Sequence, residues 1–118
     1  VCSLECNFIT TTYEALALIN ELRLDNLFLV YDIYHAEAMH ESTISLYRAR
    51  EKIKVVHIAE NINNKRRYLK PDYIEKHRPY AQGLIEINYD GEVAVEAFGE
   101  IKGVYLKDSF KILKELFL

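Results

Sequence analysis

Four short apolar runs, each followed by a segment of helical spacing, constrain this chain more than any other feature. The runs are VCSLEC (1–6), LFLVYD (27–32), KVVHIAEN (54–61) and EVAVEAF (92–98). After the first comes TTTYEALALINELR (10–23), with Thr caps and apolar residues at 13, 16, 19 and 22, a helical spacing. ESTISLYRAREKI (41–53) reads as the second helix, despite its β-branched start. Pro71 opens a short helix in PDYIEK, and Pro79 starts another in PYAQGLIEIN (79–88). The last helix is KDSFKILKELFL (107–118), amphipathic, with Asp108 or Ser109 as cap. NINNKRRYLK (61–70) reads as a polar loop and YDG (89–91) as a turn. Strictly alternating strands and helices imply an α/β fold with parallel strands and helices outside. The strands are apolar on both faces, as expected of parallel strands covered on both sides.

The 118 residues suffice for one modest core, and half of them are hydrophobic. With only 4 Gly and 2 Pro the composition is globular rather than disordered. The net charge of −3, with no basic block longer than KRR (65–67), argues against a nucleic-acid partner. No apolar run approaches the roughly 18 residues of a membrane span. No leader is read at the start, so the expected compartment is cytoplasmic. Cys2 and Cys6 would stand roughly 13 Å apart on a strand, too far for a disulfide, and read as reduced, buried small apolar residues.

The strand ends carry the chemistry. Glu5, Asp32, His57 and Glu96 each fall at or near the C-terminal end of an expected strand, about one strand–helix unit apart. Ligands bind at that end in parallel sheets and barrels. Counting back by twos puts Ser3, Val30, Val55 and Ala94 on the same face. Any one of the four has an ordinary explanation: a solvated acid at a strand end, or a hydrogen-bonded core histidine. Their conjunction points to a shared site. Three carboxylates converging in a cleft would repel one another, and a divalent cation removes that conflict. Three oxygen donors and an imidazole suit Mn²⁺, Mg²⁺, Co²⁺ or Zn²⁺. His35, three residues beyond Asp32, would reach whatever the metal holds. KRR (65–67) reads either as a solvated loop or as a source of a guanidinium near a substrate oxygen. Tyr31, Tyr34, Tyr80 and Tyr89 read as wall or packing residues.

At these residues the chain resembles the C-terminal half of the sugar isomerase/epimerase TIM barrels, the xylose isomerase-like relatives that include hydroxypyruvate isomerase and the ketose 3-epimerases. SLECNF is similar to their fifth-strand Leu-Glu-Pro-x-Asn segment, and DNLFLVYDIYH to the sixth strand. VVHIAEN resembles the seventh strand's His-x-Ala-Asp-Asn, and INYDGEVAVEAF the eighth strand's Gly-Tyr-x-Gly run ending in Glu-Pro-Phe. The resemblance implies a (βα)4 half barrel, residues 1–118 forming a single partial unit that corresponds to strands five to eight. It implies Glu5, Asp32, His57 and Glu96 as metal ligands, Glu5 and Glu96 as the acid/base pair, and His35 as a substrate contact, with Arg66 or Arg67 as the arginine. There are departures. Cys6 stands in place of the proline, NFIT replaces Arg-Phe-Glu, and the longer NNKRRYLKPDYIEKHR replaces a Pro-Gly-x-Gly loop. The expected activity is metal-dependent aldose–ketose isomerisation or ketose epimerisation through an enediolate, on a small sugar or hydroxy-ketone. Completing the barrel would take its missing half or a homo-oligomeric partner. Two other readings stand beside it: a non-catalytic half barrel serving assembly, and an abasic-site endonuclease, whose extra histidines are not evident.

Overall fold

A computed structural model describes residues 6–99 and 102–118. The expected first strand, with Ser3, Glu5 and Cys2, lies outside the described residues. Cys6 is half-buried rather than buried, its thiol accepting from the Phe8 N–H at 3.4 Å.

Helix α1 (Thr12–Leu22) starts where a capping box forms: Thr11 accepts from the Glu14 N–H, and the Glu14 carboxylate accepts from the Thr11 N–H. It ends at Arg23, which takes the left-handed conformation. Strand β1 (Leu29–Asp32) pairs in parallel with β2 (Ile53–Ile58), and β2 pairs in parallel with β5 (Glu92–Val95). These three strands form one sheet in the order β1-β2-β5. The parallel α/β class expected from the alternation is the one observed.

One face of this sheet is packed by helices. Tyr31, Val56 and Ile58 point into a core with Ile33, Leu46, Ala81, Leu84, Ile112 and Leu116. The buried Tyr31 hydroxyl finds Ser45 Oγ at 2.9 Å, which satisfies both groups. The opposite face carries Val30, Val55 and Ala94 and is open, with Val30 50% exposed. The strands are therefore apolar on both faces but covered on one among the described residues.

Several elements differ from the sequence reading. IYHAEA forms a short helix, α2 (Ile33–Ala38), because the Asp32 side chain caps it by accepting from the Tyr34 N–H at 3.0 Å. The expected helix over 41–53 shortens to α3 (Ile44–Ala49). The expected polar loop contains an antiparallel hairpin, β3 (Glu60–Ile62) and β4 (Lys65–Arg67). Its two-residue connection is Asn63-Asn64, with φ of 53° and 57°. Positive φ at both central residues is what a type I′ hairpin turn requires, and asparagine tolerates it.

A 3-10 turn (Pro71–Tyr73) leads into α4 (Ile74–Glu86), which runs through Pro79 without a break. The expected pair of helices at Pro71 and Pro79 is thus one continuous helix. A proline inside a helix costs about 3 kcal/mol in a lost bond and a clash. Burial of Tyr80, Ala81 and Leu84 just beyond it offsets that cost. Helix α5 (Gly103–Phe117) packs beside α4 and starts four residues earlier than the expected 107. No helix among the described residues is long and apolar enough to cross a membrane.

Candidate metal and sugar site

Parallel register brings the strand-end side chains level with one another. Asp32 at the end of β1 lies opposite His57 on β2, and His57 lies opposite Ala94 on β5. Glu96 follows β5 and continues the pairing, its N–H donating to the Ile58 carbonyl at 3.1 Å. One ligand atom from each of Asp32, His57 and Glu96 falls within 4.8 Å of the others. His57 Nδ1 is 3.0 Å from Glu96 Oε2. Glu5, the fourth expected ligand and one of the expected acid/base pair, lies outside the described residues.

Arg66 is the centre of the cluster. Its Nη1 donates to Asp32 Oδ2 at 2.8 Å and to Glu96 Oε2 at 2.6 Å. Its Nη2 meets His35 Nε2. A guanidinium only donates, so His35 Nε2 is the accepting atom of this contact, and it also lies 3.5 Å from Asp32 Oδ2. The guanidinium also lies over the Tyr34 ring, 4.6 Å from its centroid, a cation–π contact on a buried aromatic. Arg66 is buried, at 6% exposure, and a buried cation needs this density of partners. Arg67 faces away, its Nη1 donating to the carbonyls of Arg66 and Phe98. The hairpin register decides between the two arginines: Asn61 opposes Arg66, and Glu60 opposes Arg67.

The burial falls in a gradient. The Asp32 side chain is 8% exposed, His57 27% and Glu96 39%. The cluster thus has a closed wall at Asp32 and an open mouth at Glu96. Beside it, Tyr34, Asn64, Lys65, Arg66, Arg67 and Phe98 line a cavity of about 270 Å³. A larger one of about 580 Å³ shares Arg67 and Phe98 with it.

The donor set fits a hard or borderline divalent ion: two carboxylates and an imidazole at the ends of adjacent rigid strands. Arg66 shows in this structure that the two carboxylates are arranged to take positive charge between them. Asp32, His57 and Glu96 would hold such an ion, and Arg66 would share the two carboxylates with it. The sequence reading named Asp32, His57, Glu96, His35 and Arg66, and the structure gathers all five. It missed Tyr34 as the platform under Arg66. It also missed Asp32's second duty as a helix cap. Asp-x-x-His at a strand end was the available signal for the cap, since Asp favours that position.

The model of the xylose isomerase-like TIM barrel family matches residues 2–116, and the chain belongs to that family. No curated protein sequence matches the chain. Among solved structures it is similar to 3-keto-D-glucoside 4-epimerase from E. coli, at 25% identity and a TM-score of 0.78, over 93% of this chain. An L-ribulose 3-epimerase aligns at 24% identity and a TM-score of 0.65 over 96% of the chain. A D-psicose 3-epimerase crystallised with D-fructose aligns at 21% and 0.69 over 93%. The chain spans 41%, 37% and 37% of those structures' lengths, respectively.

Proposed function

We propose that this chain is the strand-five-to-eight portion of a metal-dependent sugar isomerase or epimerase, with the remaining strands supplied by further sequence or by a partner chain. The observation that carries the reading is the convergence of Asp32, His57 and Glu96 within 4.8 Å at the C-terminal ends of neighbouring parallel strands. The family match and the solved sugar epimerases support it. Asp32, His57 and Glu96, with Glu5, would hold Mn²⁺, Co²⁺ or Mg²⁺. When bound, such an ion supplies the positive charge that stabilises the anion formed as a proton leaves the carbon beside a carbonyl.

The chain's own residues do the rest. Glu96, at the open mouth, takes or returns the proton, and a positioned carboxylate contributes roughly 10²–10⁴-fold. Glu5 is proposed as the second member of the acid/base pair. With both acting, a stereocentre inverts; with one carrying the proton, an aldose and a ketose interconvert. His35 and Arg66 hold substrate oxygens. Tyr34 supports the guanidinium with the face of its ring.

The test is proton exchange. The intact protein, incubated with Mn²⁺ and D-psicose or D-fructose in D₂O, should replace a carbon-bound proton beside the ketone by deuterium, seen by NMR. E96Q should abolish it. Absence of exchange from a panel of ketoses and hydroxy-ketones would remove the sugar reading. A non-catalytic assembly role draws on one observation, that Arg66 pairs with both carboxylates. That reading requires the protein to ignore Mn²⁺.

A further inference from the structure

A second cluster of ionisable side chains lies behind the site, on the buried side. His77 of α4 is fully buried. Its Nε2 is 3.0 Å from Glu60 Oε1 on β3. Its Nδ1 is 3.3 Å from Glu37 Oε1 on α2, an ion-pair contact short of an aligned hydrogen bond. Both carboxylates are buried, Glu60 at 1% and Glu37 at 8% side-chain exposure. Two more groups share them: Lys76 Nζ sits 2.6 Å from Glu37 Oε2, and the Lys70 N–H donates to Glu60 Oε1 at 3.3 Å. Glu41 and Tyr80 complete the surroundings, the Tyr80 hydroxyl donating to the Glu41 carbonyl and the Glu41 carboxylate accepting from the Thr12 N–H.

The surroundings favour a protonated histidine. Glu37 and Glu60 bring two negative charges into a buried space and Lys76 brings one positive charge. A protonated His77 faces both of these carboxylates, and an uncompensated buried carboxylate is strongly disfavoured. Burial alone would push the imidazole down, but its contacts with Glu37 and Glu60 outweigh that and raise it to about 9.

Two of the three elements joined here carry the groups read as substrate contacts. Glu37 is two residues beyond His35 on α2. Glu60 opens the hairpin whose second strand carries Arg66, one register position away. The hairpin is only three residues long on each side, too short to hold its own position. We propose that His77 is a positioning residue: bridging Glu37 and Glu60 from α4, it sets the hairpin of Arg66 against the helix of His35. The proposal rests on the reading of His35 and Arg66 as substrate contacts, while its structural half stands apart from it.

Hydrogen–deuterium exchange on the intact protein tests that half without any substrate. In H77Q, amides of 60–68 should exchange at least tenfold faster than in the parent, while those of β2 (53–58) stay within twofold. Unchanged exchange at 60–68, or acceleration spread evenly over the chain, would overturn the proposal. E37Q and E60Q each weaken one arm and should show the same pattern in smaller amplitude, which keeps the test open should H77Q fail to fold. Where the parent turns over a ketose, H77Q should raise KM about tenfold with kcat within threefold. A fall in kcat at unchanged KM would contradict a positioning role. A parent that binds Mn²⁺ but exchanges no ketose proton would sink the sugar chemistry and leave the exchange result on 60–68 to decide the bridge.

Discussion

Deprotonating His77 should cost stability over a defined pH window. The imidazole is raised from 6.5 to about 9 in the folded chain. A group raised on folding contributes fully below its unfolded value and loses its contribution as pH climbs through its folded value. The linkage amounts to about 3 kcal/mol at pH 6, about 1 at pH 8 and a few tenths at pH 9. The perturbation is H77Q, which removes the titrating group. The assay is urea unfolding of the intact parent and variant at five pH values between 6 and 10. Exposed groups remote from the cluster are common to both proteins and cancel in the difference, whereas Lys76, paired with Glu37, belongs to the cluster. Tyr80, which faces the cluster, is pushed by burial and by Glu37 and Glu41 up to about 12, outside the window. The parent's advantage over H77Q should shrink by about 3 kcal/mol across the range, most steeply between pH 7 and 9. A difference that is flat in pH, or that grows as pH rises, would refute the protonated bridge.

Two further outcomes follow from the same geometry. Arg66→Met should tighten Mn²⁺ binding at least tenfold in electron paramagnetic resonance titrations, because the guanidinium's charge-assisted bonds to Asp32 and Glu96, of which even one is worth roughly 1.5–3 kcal/mol, no longer compete. Unchanged affinity would show that the ion and the arginine do not share oxygens. Asn64→Val should cost roughly 1–2 kcal/mol in urea unfolding, since a β-branched residue resists the left-handed conformation, whereas Asn64→Gly should stay within a few tenths. Equal effects of the two would mean that the hairpin turn is not of the primed type.

The parallel sheet was legible because LFLVYD, KVVHIAEN and EVAVEAF are long enough to show their apolar character and are separated by helical spacing. The convergence of Asp32, His57 and Glu96 was legible from chain position: side chains at the same end of adjacent parallel strands, with matching parity, lie close together. Short elements were harder. α2 is six residues long and has no periodicity to detect, and only its cap marks it. The hairpin hid inside a polar segment, its one signal the Asn-Asn pair. The continuity of α4 through Pro79 depends on what the helix packs against, which no local rule contains. The His77 bridge joins residues 37, 60 and 77, each unremarkable in its own segment, so only the tertiary fold reveals it.

The most direct test of the account is Mn²⁺ binding by the intact protein, followed by electron paramagnetic resonance, in the parent and in D32A and H57A. The account predicts one saturable site in the parent and at least a tenfold loss of affinity in each variant. No saturable binding, or binding indifferent to both substitutions, would contradict it.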